Sequence, residues 1–432
     1  MKPSPGGAAE ASRITFLTWR DEGHPDGGGS ERYVREIATR LASRGHAVTI
    51  LCAAYPGAAA EELVGGVRFL RRGGRRSVYV AGLRYLLSRD GRAQDVVVDV
   101  INGLPFAARL VRRSGVLVLV HHLHREQWHM IYPGLRGRIG WFVESRVAPA
   151  LYRNTRHVTV SEATRADLVA LGVRPGLVSV VRNGVSAPAN PDPPDRSPTP
   201  RLCVLARLVP HKQIEDAIHV VARLAGELPQ LHLDIIGRGW WSERLREAVV
   251  QGAVQERVSF HGYLPDVSRD RLLAQAWLML APSVKEGWGI AITEAAGVGT
   301  PTIAYAGAGG VREAIVDGVT GLLAADLDDL VDLTRRLLQD EARRRELSLA
   351  ATAYARSFSW ETTAEQFERV CEQVRRSAAA VLDDSLPGRV AARRRVLCGH
   401  HGDHRDDRER RSDERSADGG DDSGHGCSSS GC

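Results

Sequence analysis

No apolar run in the 432-residue sequence approaches the roughly 20 residues that cross a bilayer, and the N-terminus has no secretory h-region. Both absences predict a cytoplasmic chain. Cysteine is sparse, and Cys52, Cys203 and Cys371 stand singly in the body of the chain, the pattern of reduced core thiols and not of a disulfide framework. The G-x-G-x-x-G spacing is missing, which argues against a nicotinamide cofactor. No Asp-x-Asp is read at a strand end, so no metal is expected from that source. Nor is there an aromatic-studded basic patch or a nucleic-acid module, so nucleic acid is not an expected partner. The formal net charge of +6 then favours other anionic partners, such as phosphorylated substrates or an acidic membrane surface.

What is present is an ordinary globular composition, in a chain long enough that two domains are expected. Residues 14–19 read as a first strand, followed by a loop that holds Gly27, Gly28 and Gly29. Val34, Ile37, Ala38 and Leu41 then recur at the spacing of a helix packed on a sheet, and residues 47–52 complete a βαβ unit. Contiguous glycines let the backbone approach a phosphate or sugar closely, although a flexible surface loop would read the same way. Residues 67–70, 96–101 and 116–120 continue the strands and predict an all-parallel sheet covered on both faces.

The last of these strands runs into His121, His122 and His124. Ligands of open α/β sheets bind beyond the carboxyl ends of strands, so an active-site histidine is expected there. Metal binding is the other reading, but no carboxylate or cysteine stands at ligand spacing. Residues 130–153 mix Arg136, Arg138, Arg146 and Arg153 with Ile131, Trp141, Phe142 and Val147. Such a segment is either a basic amphipathic helix on an anionic membrane or a domain helix with a charged outer face. A first domain over 12–187 is expected to end at a Pro-rich linker, 188–200.

A second α/β series over 201–359 has strands at 202–206, 231–236, 258–260, 277–281 and 302–304, and a last helix at 360–378. Its first strand leads to Arg207 and Lys212, a cation pair suited to a diphosphate unless they are ordinary surface charges. After the fourth comes "KEGWGIAITEAAGVGTPTIAY", in which a glycine-punctuated turn precedes a helix start. Amides at such a turn suit a phosphate. Glu286 on the turn and Glu294 on the helix are placed to accept hydrogen bonds from sugar and ribose hydroxyls. A solvated Glu and a helix-dipole Glu are the plainer alternative.

Together these stretches resemble the retaining glycosyltransferases of family 4, from about Arg13 to about Arg375. The resemblance is carried by Glu286 to Glu294 as E-x7-E, "ARLVPHK", "GGGSERYVREIATRLASRGHAVTI", "VTVSEATRADLVALGV", "VVRNGV" and "FHGYL". It implies the GT-B architecture, two Rossmann-like domains facing across a cleft, and transfer from a nucleotide-diphosphate sugar without a further cofactor or metal. Arg207 and Lys212 would bind the diphosphate, Glu286 the transferred sugar and Glu294 the ribose. Gly28 and Gly29 would approach donor and acceptor, and either His121 or His122 would be the cleft histidine. Gly287, Trp288 and Gly289 would lie against the donor, with His261, Gly262 and Tyr263 near the base, and the last helix would cross back to the first domain. Ala206 and Gln213 stand where the family usually has glycine. The acceptor would be a glycan, a lipid-linked molecule or a small molecule, with peripheral contact at the inner membrane face as a further expectation. A nucleotide-sugar epimerase or hydrolase, or a non-catalytic sugar-binding protein, would share much of this pattern. From about residue 383 the sequence is dominated by Asp, Arg, Gly, Ser and His, which predicts disorder; Cys398, His400, His401, His404, Cys427 and Cys432 fit no standard zinc module.

Overall fold

A computed structural model of the protein describes residues 10–189 and 195–384. The expected disordered tail lies outside the described residues from 385 onward, while 383 and 384 end the last helix, Trp360–Asp384. The first sheet contains β1 (Arg13–Leu17), β2 (Ala47–Cys52), β3 (Glu61–Val64), β4 (Val67–Arg71), β5 (Val96–Ile101), β6 (Val116–Val120), β7 (Arg156–Thr159) and β8 (Val178–Val180), in the order β3-β4-β2-β1-β5-β6-β7-β8. The second contains β9 (Arg201–Leu205), β10 (His232–Ile236), β11 (Val258–Gly262), β12 (Leu278–Ala281), β13 (Thr302–Tyr305) and β14 (Gly321–Ala324), in the order β11-β10-β9-β12-β13-β14. Strand order reverses between β1 and β5, and again between β9 and β12. Those two switch points are where open α/β sheets leave crevices at the strands' carboxyl ends. The two-domain, doubly wound expectation is met.

Every residue of β5 and of β6 is buried, as Val, Leu and Ile runs sealed by helices on both faces should be; the one charged residue among them, Asp99, accepts from the Phe106 and Ala108 amides. The first sheet is not all parallel. β3 pairs antiparallel with β4 through Gly65 and Gly66, both at positive φ, the backbone of a two-residue hairpin. This strand escapes pattern reading because it is an exposed edge bearing Glu61 and Glu62, and Leu63 faces solvent. β14, four residues long, is also absent from the sequence expectation. With it, Asp326-Leu327-Asp328 becomes an Asp-x-Asp directly after a strand, a correction to the motif reading. Asp326 there caps the helix Leu327–Gln339 by accepting from the Asp329 amide at 3.0 Å, and Asp328 pairs with Arg223.

The chain around the expected linker is tied to the second domain where it is described. The Ala189 amide donates to Asp270 at 2.9 Å, and Arg196 donates to Thr300 Oγ1 at 2.7 Å and to the Ala274 carbonyl at 3.1 Å. The last helix lies against the first domain: Phe367 stacks on Phe16 at 5.7 Å, and Glu368 takes Arg44 at 2.6 Å and His46 at 2.8 Å. One hydrophobic cluster runs through both domains, joining Ile14 and Ile37 to Met279, Ile292 and Phe367. Cys52, Cys203 and Cys371 are free and buried. Among the described residues no helix is long and apolar enough to cross a membrane.

Candidate functional site

The glycine loop after β1 is held by its own helix. Glu31, in the first turn of the helix Gly29–Ser43, accepts from the Gly28 amide at 2.8 Å and from Arg20 Nε at 2.8 Å. Burial alone would raise the pKa of Glu31, but Arg20 and Arg207 hold it below the ordinary value. The glycines face the other domain. A Cβ on Gly28 would stand 3.0 Å from Arg207 Nε, and one on Gly29 would stand 3.1 Å from Ile290 Cδ1. The absence of side chains is what lets the loop meet the second domain this closely.

Arg207 follows β9. Burial, and then the neighbouring Arg20 guanidinium, bring its pKa down to about 10, so it keeps its charge at neutral pH next to a like charge. Glu31 lies beside both guanidiniums and offsets part of this repulsion. Lys212 ends the 3₁₀ turn Pro210–Lys212 and pairs with Glu286, which also accepts from Ser283 Oγ at 2.8 Å. Gln213, at the position usually glycine, adopts φ 44°, a left-handed backbone uncommon for a residue with a Cβ. The conformation that a glycine would favour is therefore kept, and both cations remain on the loop. Glu294, in the helix Ile290–Gly297, is engaged from the facing domain by Arg32, whose Nη1 lies 2.5 Å from its Oε1, and from its own domain by Arg269, 3.5 Å from the same oxygen.

Between the domains lies a cavity of about 490 Å³ lined by His122, His124, Gln127, Trp128, Arg207 and His211, with Trp19, Tyr79 and Asn102 on the first-domain side and Trp240 on the second. Of the two candidate histidines, His122 lines this cavity, with its Nε2 2.9 Å from Gln127 Nε2 and its ring 4.4 Å from that of His124. His121 is buried edge-on to Tyr33 at 5.1 Å, with no hydrogen-bond partner for Nε2. His124 is oriented by Glu144, whose buried carboxylate accepts from His124 Nδ1 at 2.8 Å and from Trp128 Nε1 at 2.8 Å. No group of three or more metal-ligating side chains converges among the described residues.

The other expected donor contacts are dispersed. The Trp288 indole is 2% exposed and packs edge-on to Phe358 at 5.0 Å, which leaves its backbone and not its ring for a ligand. Gly287 and Gly289 flank it, and Gly289 precedes the helix Ile290–Gly297 at φ 102°. His261 is paired with the buried Asp234 at 2.7 Å, Gly262 accepts from the Gly237 amide at 2.8 Å, and Tyr263 is exposed beneath Arg238 at 5.0 Å. Glu31, Glu144, His211 and Arg238 are absent from the sequence expectation. His211 stands inside the "ARLVPHK" motif, a signal that was available; Glu144 meets its partners only through the fold.

Burial lowers the pKa of His121 to about 4 and of His157 to about 4, from an ordinary 6.5, and it lowers His122 strongly as well. The unfolded chain then binds protons that the fold refuses. This contribution is complete above the unfolded pKa and is lost as pH falls from 6.5 toward 4. The melting temperature should be level above about pH 7 and should fall progressively from about pH 6.5 to about pH 4.5. Calorimetry across that range would show a flat profile if these imidazoles titrated normally.

Two family models match the chain, Glycosyltransferase Family 4 over residues 27–188 and Glycosyl transferases group 1 over residues 190–355. D-inositol 3-phosphate glycosyltransferase of Corynebacterium efficiens is 26% identical over 422 residues, covering 84% of this chain and 94% of that one. Among solved structures, sucrose-phosphate synthase from Thermosynechococcus elongatus superposes with a TM-score of 0.71 at 21% identity, covering 84% of this chain and 98% of that chain. Anabaena HepE in complex with UDP and glucose superposes at 0.65 with 19% identity, covering 84% and 100%. With one model on each domain, together spanning residues 27–188 and 190–355, this chain belongs to glycosyltransferase family 4 and is a transferase of GT-B architecture.

Proposed function

We propose that the protein is a retaining, metal-independent glycosyltransferase that moves a sugar from a nucleotide-diphosphate sugar to a hydroxyl of a glycan, lipid-linked or small-molecule acceptor. The observation that carries this reading is the meeting of Arg207 and Lys212 with Glu286 at the carboxyl end of one sheet, opposite the glycine loop and His122 of the other. Negative charge grows on the diphosphate as the anomeric bond breaks, and preorganised cations each lower that barrier by on the order of a few kcal/mol. They do the charge work otherwise asked of a metal. Donor entry exchanges partners: the diphosphate takes Lys212 and frees Glu286 for sugar hydroxyls, while the ribose replaces Arg32 at Glu294. Front-face attack, with the departing phosphate oxygen accepting the acceptor's proton, needs no enzyme nucleophile. HepE, solved with UDP and glucose, supports a nucleotide-sugar donor.

Peripheral membrane contact is supported by an inverted helix. Residues 130–153 form no single helix; Gly134 at φ 74° separates Arg125–Ile131 from Leu135–Phe142. Gly137 and Gly140 seat the second helix, since a Cβ on Gly140 would stand 2.3 Å from the Trp128 ring. Packing through glycine turns Leu135, Ile139 and Phe142 outward beside the exposed Arg136 and Arg138. This is the composition of a face that lies on an anionic leaflet.

The donor reading is tested by saturation-transfer NMR with UDP-, GDP- and ADP-sugars on wild type and Glu294→Ala. One nucleotide series should bind selectively and weaken by about tenfold or more in the variant, the loss expected for a charge-assisted hydrogen-bond pair. Folded wild type that binds none of the three would remove the donor assignment.

A further inference from the structure

The cavity has more positive charge than a donor diphosphate uses. Its lining holds Arg20, Arg75, Arg76, Arg136, Arg207 and Arg238, and Asp26 is the only carboxylate lining it among the described residues. Arg20 is neutralised by Glu31 at 2.8 Å. On the proposed reading, Arg207 faces the diphosphate together with Lys212. Arg238 lies over the Tyr263 ring on the second domain. Arg75, Arg76 and Arg136 are the remaining three, all on the first domain, and no carboxylate is within ion-pair distance of any of them among the described residues. Unpaired like charges around one concavity repel each other, so they are retained at a cost that an anionic ligand relieves.

The local structure holds one of them ready. Arg75 donates to the Tyr132 hydroxyl and lies 5.9 Å from the Trp19 ring centroid, and Arg20 stands 4.4 Å from the same ring. The turn carrying Arg75 and Arg76 is fixed by the Gly74 amide donating to Ser77 Oγ at 2.9 Å, and it leads into the helix Val78–Leu87. The start of that ten-residue helix adds partial positive charge to the same wall. Trp19, Tyr79 and Trp128 supply flat apolar faces beside the cations, a suitable floor for the ring of a sugar or cyclitol.

We propose that the acceptor is a phosphorylated sugar or polyol whose phosphate is received by Arg75 and Arg76, with Arg136 completing the electropositive rim. This assignment rests on the glycosyltransferase reading of the cleft, in which the donor diphosphate occupies Arg207 and Lys212. Either a soluble sugar phosphate or the headgroup of a phosphoinositide-type lipid would present the same chemistry. Such an acceptor is oriented by its anion, and its free hydroxyl is directed past His122 toward the donor.

The test uses the full chain saturated with whichever of UDP, GDP and ADP binds, so that the diphosphate clamp is already filled. Inorganic phosphate and glucose 6-phosphate are titrated calorimetrically into wild type, Arg75→Ser/Arg76→Ser and Arg76→Ser. Both probes should bind wild type with nucleotide present and weaken about tenfold in the double variant, less in the single one, at unchanged nucleotide affinity. Arg76 has no ion pair or side-chain hydrogen bond among the described residues, so the single variant separates charge from loss of the Tyr132 contact. Vesicles of phosphatidylcholine with and without phosphatidylinositol form the second arm. Sedimentation that requires phosphatidylinositol and is lost in the double variant assigns the headgroup; loss of glucose 6-phosphate binding alone assigns the soluble form. Phosphate affinity that is unchanged in the double variant, or that disappears once nucleotide is bound, would overturn the proposal and leave the donor site standing. Failure of every nucleotide to bind would overturn the donor reading, and the proposal with it.

Discussion

Lys212→Met is expected to lower kcat/KM by roughly 10²- to 10³-fold, the effect of removing one preorganised donor aimed at developing charge. The side chain stands on a short turn after β9, paired with Glu286, which is itself held by Ser283. Loss of the ammonium therefore acts twice: the diphosphate loses a cation and Glu286 loses the partner that positions it. Methionine keeps most of the volume, so thermal stability should change little. The decisive comparison is between kcat and KM. If Lys212 acts on the leaving group, most of the loss falls on kcat; a loss confined to KM would mean that it serves only to hold the ground-state donor.

Gly287→Ala is expected to lower kcat by about 10²-fold, because a misplacement of about 1 Å in a closing site is enough to do so. A Cβ at this position would stand 2.3 Å from the His121 carbonyl oxygen and 3.0 Å from its carbon, both backbone atoms of the opposite domain. Backbone cannot swing aside as a flexible side chain can. The clash exists only when the two domains meet, so the variant should fold, bind nucleotide through the second domain and fail at closure. Small-angle scattering with saturating nucleotide should show a more open particle than wild type. Wild-type turnover in Gly287→Ala would show that the contact at His121 is not part of the working state.

Much of the architecture was legible because it is written locally. β6 is an unbroken Val and Leu run and β5 a Val and Ile run interrupted only by Asp99, and a run sealed on both faces has few other ways to fold. Arg207, Lys212 and Glu286 could be placed in the loops after strands, and Glu294 on the helix that follows, because strand, turn and helix signals stand beside them in the chain. Long-range pairing left no such trace. Glu294 meets Arg32 across 262 positions, and Glu144 takes up His124 and Trp128 from a separate helical segment. Nothing in the sequence shows that Gly140 admits the Trp128 ring and that Gly137 admits the backbone of Trp128 and Tyr132, the packing that turns the large apolar residues outward. The β3 hairpin was missed although Gly65 and Gly66 mark its turn, because the charged edge strand lacks the alternation expected of a buried one.

The hydrophobic cluster that runs from Ile14 through Ile292 to Phe367 gives the cleft a thermal character of its own. On the proposed reading, a donor that enters by parting the two domains exposes part of that shared apolar interior to water. Opening is then a small local unfolding with a positive heat capacity change, strongly temperature-dependent where a purely polar hinge would not be. Cold weakens the attraction that holds the halves together, and moderate warmth strengthens it. On that reading, the same residues that stabilise the fold set how long a donor stays sealed from solvent.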